Sequence, residues 1–264
     1  MTDKRKVRIL GLTAAVLALI AFAFLSRPEQ PLSASAPYLN VRVLHMQPGQ
    51  TSQLKLVRAK NVKWKSLNRS VATVRKGKVT AKKAGKATIT AKKGKKTYKC
   101  WVTVASGKKK TLIVYFSATG TTRGAAQKLK KAADADIVRL VPRRIYKKSH
   151  LNYNKDCRAN SEQDKNTYVP IATRVRDLRR YDTICLGYPI WWGKEPGVIR
   201  EFLKLYNLEN RTVLPFCTSG GSGISGSMGH VRNLAKGAKV KNGKDLTDAT
   251  ADEIRKWFKQ NTAK

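Results

Sequence analysis

Ser117, Ala118, Thr119, Gly120, Thr121 and Thr122 form a loop of hydroxyls and one glycine between an apolar run, 112–116, and a helical pattern. Such a loop aims backbone N–H groups and the positive end of a helix dipole at one point, which makes an anion site. The hydroxyls of Ser117, Thr119, Thr121 and Thr122 add neutral donors, and Gly120 lets the main chain approach without a Cβ in the way. The guest this chemistry predicts is a phosphate. Ser/Thr/Gly clusters also make ordinary turns, so the loop alone leaves a structural reading open. Two further stretches bear on that choice. Tyr188, Pro189, Ile190, Trp191, Trp192 and Gly193 follow the apolar run 183–187, and Thr218, Ser219, Gly220, Gly221, Ser222 and Gly223 follow 212–217.

The elements that must hold these loops follow from periodicity. An unbroken apolar run without alternation fits a strand covered on both faces, as in a parallel sheet. Three such runs, each ending in a glycine-bearing loop, describe a doubly wound α/β sheet whose ligand lies beyond the carboxyl ends of its strands. A helix should begin near Thr122, with Ala125, Ala126, Leu129, Ala132 and Ala133 on one side. Residues 135–141 should be a second strand near an edge. The long polar stretch 142–167 carries Tyr146, Tyr153 and Arg158, read either as cover for the ligand or as a solvated loop. Residues 170–178, with Ile171, Val175 and Leu178 on one face, predict a helix. Pro196 opens another, with Val198, Ile199, Phe202, Leu203 and Tyr206 facing the sheet. Thr250 and Glu253 form a capping box for a last helix that buries Ile254, Trp257 and Phe258. Two faults stand out: Pro215 lies inside the presumed fourth strand, and the fifth strand is represented only by the polar stretch around Val240. A poorly formed neighbour asks for fewer ladder bonds, so these faults can offset each other.

The three loops resemble, in this order and at these intervals, the three FMN-binding loops of flavodoxin-like proteins, over about 111–260. The resemblance implies a sheet of order 2-1-3-4-5, FMN as cofactor, and electron transfer or flavin oxidoreduction. It places 117–122 on the FMN phosphate and 188–193 and 218–223 on the two walls of the isoalloxazine pocket. Trp191 or Trp192 would offer a stacking face, with core packing as the other reading of each. The flavin carries the redox chemistry, so no catalytic side chain and no metal site are expected. His45, His150 and His230 show no metal-ligand spacing. Cys185 and Cys217 read as buried thiols, while Cys100 and Cys157 form no close-spaced pair, and the disulfide state stays open.

Charge and the N-terminus supply a location. Across 264 residues, 55 Lys and Arg stand against 16 Asp and Glu, a formal +39, which implies a polyanionic neighbourhood. Lys4, Arg5, Lys6 and Arg8 precede an uncharged apolar segment, 9–25, that reads as an export signal or membrane anchor with the rest of the chain translocated. Ala34, Ser35 and Ala36 resemble a cleavage site, but Pro37 should impede cleavage, so an anchor is favoured. The three prolines of 27–37 mark a linker.

Short alternating runs between Gly49, Gly77, Gly85 and Gly94 then describe a small sandwich. Trp64, Ser66, Asn68, Val71, Val74, Gly77, Val79, Ala81, Gly85 and Ile89 resemble bacterial Ig-like domains of group 2, which implies a surface spacer or adhesion module. The expected organisation is thus 1–36 signal or anchor with linker, 38–106 an all-β Ig-like sandwich, and 111–262 a flavodoxin-like FMN-binding domain.

No acid occurs between Glu29 and Asp134. This predicts docking of the Ig-like part to a surface polyanion such as teichoic acid or anionic phospholipid. No nucleic-acid recognition signature is present. The expected function is an exported, tethered FMN electron carrier working with a redox protein or a small-molecule acceptor. The alternatives are an NAD(P)H/quinone-type oxidoreductase and a cofactor-free surface module. Flavodoxin-like carriers tend to be acidic; a basic one should accept its second electron at a more moderate potential.

Overall fold

Alternation of apolar and polar residues builds the first half of the chain. The computed structural model describes residues 36–106 and 110–263; the apolar segment 9–25 lies outside them. The Ig-like half consists of β1 (Tyr38–Leu39), β2 (Val43–Met46), β3 (Thr51–Gln53), β4 (Leu56–Val57), β5 (Lys63–Ser66), β6 (Ala72–Arg75), β7 (Lys78–Ala81), β8 (Gly85–Lys93) and β9 (Lys96–Val104). Along β8, Ala87, Ile89 and Ala91 point inward while Lys86, Thr88, Thr90 and Lys92 point out, the period-two pattern of a half-buried strand. One sheet runs β2-β9-β8-β5 and another β3-β7-β6. Between them lie Leu44, Met46, Leu54, Val79, Ile89, Cys100 and Val102, all buried.

The second half contains β10 (Thr111–Tyr115), α1 (Thr121–Ala133), β11 (Asp136–Arg139), α2 (Arg158–Asp164), β12 (Thr173–Val175), β13 (Thr183–Pro189), α3 (Gly197–Leu205), β14 (Thr212–Thr218), α4 (Ser225–Leu234), β15 (Lys239–Val240), β16 (Lys244–Asp245) and α5 (Ala251–Thr262). The sheet order is β11-β10-β13-β14-β15, with every pairing parallel. That is the expected 2-1-3-4-5. Leu112, Ile113 and Val114 have no exposure, and two apolar cores cover the faces, one under α1 and α5, the other under α3 and α4. The capping box forms as expected, Thr250 accepting from the Glu253 amide and Glu253 from the Thr250 amide.

Pro215 sits in the interior of the sheet without penalty because the fifth position is split. Next to β14, β15 pairs with Thr212 and Val213, and β16 pairs with Phe216 and Cys217. The missing N–H therefore falls in the gap between two short strands.

The helix expected over 170–178 does not form. Residues 173–175 instead make β12, followed by a 3-10 turn at Leu178–Arg180. β12 lies parallel to β2, with Thr173 opposite Val43 and Val175 opposite His45. The amides of Arg42 and Val43 donate to the Ala172 carbonyl at 2.7 and 3.1 Å, and the Arg176 amide donates to the His45 carbonyl at 2.8 Å. An open sheet edge carries a row of donors and acceptors that must find partners, and here it outweighs a weak helical pattern. The Ig-like sheet thereby becomes five-stranded, β12-β2-β9-β8-β5, and from Tyr38 onward the chain is one compact unit.

A buried polar node reinforces this joint. The Tyr181 hydroxyl donates to Asp136 Oδ2 at 2.9 Å and accepts from His45 Nε2 at 2.7 Å and Gln47 Nε2 at 3.1 Å. Because the hydroxyl's one proton goes to Asp136, the ring proton of His45 must sit on Nε2. Nδ1 is then a bare acceptor, and it is buried without a partner. Burial pulls the imidazole down from 6.5 to about 4.

Candidate functional site

The first loop follows directly from β10. Gly120 adopts φ 122°, a conformation closed to residues with a Cβ, and caps α1 without any side-chain hydrogen bond. The first amides of α1 are thus left for a ligand. Ser117 Oγ accepts the Gly120 amide at 3.1 Å, which holds the loop in its turn. Thr122 is buried, and its hydroxyl bonds Thr218 Oγ at 2.7 Å, stitching the first loop to the third. Thr119 and Thr121 line the cavity beside it.

The second loop leaves β13 and turns at its tip. Trp191 and Lys194 exchange backbone hydrogen bonds of 2.9 and 3.1 Å around Trp192 and Gly193, both at positive φ, 48° and 72°. This is the geometry of a two-residue primed turn, and a non-glycine residue there carries strain of order 1–3 kcal/mol. Trp192 is held outward, and Tyr153 packs on it with ring centroids 4.4 Å apart. Trp191 is buried edge-on against Phe116 and Tyr146, with centroids at 5.7 and 5.2 Å.

The third loop winds around one oxygen. Ser219 Oγ accepts the amides of Gly221 and Gly223 at 3.0 and 3.1 Å and donates to Asp245 Oδ2 at 2.5 Å. Burial alone would raise the Asp245 carboxyl, but hydrogen bonds from Ser219 and Thr247 outweigh it and hold the group below its ordinary range.

These loops converge. One cavity of about 290 Å³ is lined by Ala118, Thr119, Thr121 and Thr122 of the first loop, Pro189, Ile190 and Trp191 of the second, and Thr218, Ser219 and Gly220 of the third, with Leu151 and Tyr153 closing a side. Ser117 and Gly120 border a smaller adjoining crevice of about 50 Å³ with Arg123 and Arg139. Arg139 Nη2 donates to the Ser117 carbonyl at 3.0 Å. Gly221 lines a separate hollow with Lys244, Asp245 and Thr247. Tyr188 turns away into the core. It donates to Ser227 Oγ at 3.0 Å, since that hydroxyl's own proton goes to the Ile224 carbonyl. Trp192, Gly193, Ser222 and Gly223 do not line the main cavity.

The stretch 142–167 divides its labour. Leu151 and Tyr153 line the cavity, whereas Tyr146 and Arg158 brace it from beneath. The Tyr146 hydroxyl and Arg158 Nε both reach Glu162, and the guanidinium lies 4.3 Å over the Tyr146 ring.

The residues that fix the second loop lie outside the motifs. Glu195 and Arg200 are fully buried and paired at 3.3 Å. Glu195 Oε1 also meets His230 Nδ1 of α4 at 2.6 Å, and Gln163 Nε2 donates to the Trp191 carbonyl at 2.8 Å. Glu195 thereby ties the second loop to the helix that follows the third. An acid two residues after Gly193, in a chain so poor in acids, is the one sequence signal that could have marked it. Among the described residues no group of His, Cys, Asp and Glu could hold a metal, and all four cysteines are free thiols.

A family model described as Flavodoxin matches residues 110–261. The chain belongs to the flavodoxin family. A second model, for bacterial Ig-like domains of group 2, matches residues 44–104 of the chain. A Bacteroides eggerthii protein described as a flavoprotein is 33% identical with a TM-score of 0.57, covering 60% of this chain and 100% of its own. Another from Bacteroides uniformis is 32% identical with a TM-score of 0.55, covering 57% and 98%. A Lactobacillus acidophilus flavoprotein solved in complex with FMN is 25% identical with a TM-score of 0.45, covering 57% and 99%. No curated protein matches the chain.

The close approach of α4 to the second loop yields a prediction. A Cβ on Gly226 would stand 2.7 Å from the Gly193 carbonyl oxygen, a backbone atom that must then move. Gly226→Ala should shift the loop and weaken flavin binding about tenfold, the equivalent of 1–2 kcal/mol of overpacking. Flavin fluorescence titration measures it; unchanged affinity would mean that the loop's position does not matter.

Proposed function

We propose that this protein is an FMN-binding electron carrier, exported and tethered at the cell surface. The observation that carries the reading is the convergence of Thr119, Trp191 and Gly220, from three loops far apart in sequence, on one cavity. The donor set fits the cofactor. An uncapped helix start and the Thr119 and Thr121 hydroxyls suit a phosphate, and the apolar walls of Ile190 and Trp191 suit a flat ring system. The cavity lies at the lower end of small-molecule sites, which leaves part of the ring open to a redox partner.

Bound FMN supplies the exchange of electrons. The chain's own part is to bind and orient it: the first loop takes the phosphate, the second and third exclude water from the ring's sides, and Leu151 with Tyr153 closes one side. Arg123 and Arg139 flank the phosphate loop without a carboxylate partner among the described residues and add positive charge to it. The sequence carries no dinucleotide fingerprint, which favours a carrier over an NAD(P)H/quinone-type oxidoreductase. Export rests on the basic residues and apolar segment at the N-terminus and on the Ig-like family. Among the described residues no helix is long and apolar enough to cross a membrane.

Purified protein should be yellow and bind FMN far more tightly than riboflavin. Arg139→Gln should weaken FMN about tenfold, by losing a charge-assisted contact, and leave riboflavin unchanged. Apo-protein that refuses added FMN would refute the reading. A redox titration of the loaded protein should place the second-electron potential above that of acidic carriers, because a basic surface attracts the added charge.

A further inference from the structure

We propose that the open face of the Ig-like sheet docks on an anionic phospholipid bilayer. The α/β half covers the β2 end of this face, where Val43 packs into the α/β core and His45 is buried. Across β5, β8 and β9 the same face is bare, and strand register sets what it displays. One row runs Lys63, Lys92, Thr97; the next runs Lys65, Thr90, Lys99. The third begins at Leu67, whose amide donates to the Thr88 carbonyl, and crosses Thr88 to Trp101. Leu67 and Trp101 are 59% and 53% exposed, about 10 Å apart at two strand spacings. An indole and an isobutyl group thus project from a lysine-studded plane.

This combination suits a bilayer surface in particular. Indole settles at the headgroup level, an aliphatic side chain enters the acyl boundary, and lysines reach anionic headgroups along their apolar stems. A soluble polyanion has use for the lysines but none for Leu67. No acid anywhere in 30–133 opposes the attraction. Tyr38 follows the apolar segment 9–25 by about a dozen residues, a span of at most ~40 Å when extended. Where that segment anchors the chain, the sheet is held within reach of the leaflet. This last point rests on the tethering reading above; the face itself does not depend on FMN.

The test places the full chain in vesicles of equal parts phosphatidylglycerol and phosphatidylcholine with brominated acyl chains. Tryptophan quenching that depends on Trp101 reports contact of the face with lipid, and vesicles of phosphatidylcholine alone control for insertion of the N-terminal segment. Quenching is expected at low salt, should disappear in Trp101→Phe, and should fall with added salt. Each of Lys63→Gln, Lys65→Gln and Lys92→Gln should lower the vesicle partition constant about fivefold, with thermal unfolding confirming an intact fold. Vesicles of phosphatidylcholine alone should give no quenching. Equal quenching in those vesicles, or none with phosphatidylglycerol, overturns the proposal. So does perturbation of Trp101 emission by soluble poly(glycerol phosphate) alone, which would assign the face to a polymer. FMN loading is scored separately by colour, so failure of one reading leaves the other standing.

Discussion

Arg200→Met should lower the unfolding free energy by about 3–5 kcal/mol, read from urea melts at neutral pH. Arg200 and Glu195 are both fully buried, and removing one partner of such a pair leaves the other charge without solvent. The guanidinium also serves several other acceptors, and for two of them, the Thr167 carbonyl and Gln163 Oε1, it is the donor. It donates to the carbonyls of Thr167, Glu162 and Glu195 at 3.2, 3.3 and 2.9 Å and to Gln163 Oε1 at 2.8 Å. A double change, Glu195→Leu with Arg200→Met, should recover only part of the loss, because the Thr167 carbonyl and Gln163 Oε1 still lose their donor. FMN affinity should fall with Arg200→Met as well, since Gln163 then loses the contact that steadies it under the Trp191 carbonyl. A loss below about 1 kcal/mol would show that the His230 contact alone is enough to hold Glu195.

The second large effect is a loss of stability on mild acidification, centred on the joint between the halves. His45 titrates at about 4 in the fold against 6.5 for an ordinary imidazole, so between these values the unfolded chain binds the extra proton. Stability is therefore complete above about pH 6.5 and drains as pH falls towards 4, by on the order of 3 kcal/mol. The groups facing the ring are Tyr181, Gln47 and, through Tyr181, Asp136. Burial first, then the charge and hydrogen bond of Asp136, push the Tyr181 hydroxyl up, so it stays neutral throughout this range. His45→Gln keeps an N–H donor near Tyr181 and should flatten the pH dependence between 6.5 and 5. Parallel urea melts of the two proteins at each pH isolate the contribution of His45. Identical slopes would mean that water reaches the ring.

Much of the architecture was legible because it is written in short-range pattern. The apolar runs at 112–116, 183–187 and 212–217 can be satisfied only between two covering layers, and the glycine-bearing loops after them can only lie at the strands' carboxyl ends. The capping box at Thr250 and the alternation of β8 are equally local. Legibility ended where partners come from elsewhere in the chain. Nothing near Tyr188 shows that it faces Ser227 rather than the cavity. Tyr153 and Leu151 sit in a stretch without periodicity, so their place at the cavity depends on where α2 and the second loop pack.

The amino-acid order by itself determined two domain types, the succession of strands and helices, and the three loops suited to a phosphate and a flat ring, because propensity, periodicity and turn chemistry act over a few residues. Only the tertiary structure decided that 173–175 is a strand, that the Ig-like sheet is closed by the other half of the chain, and that Glu195, Arg200 and His230 hold the second loop in place. The reason is the same in each case. An unpaired edge or a buried charge takes its partner from whatever packing brings within about 3 Å, and no local pattern records that distance.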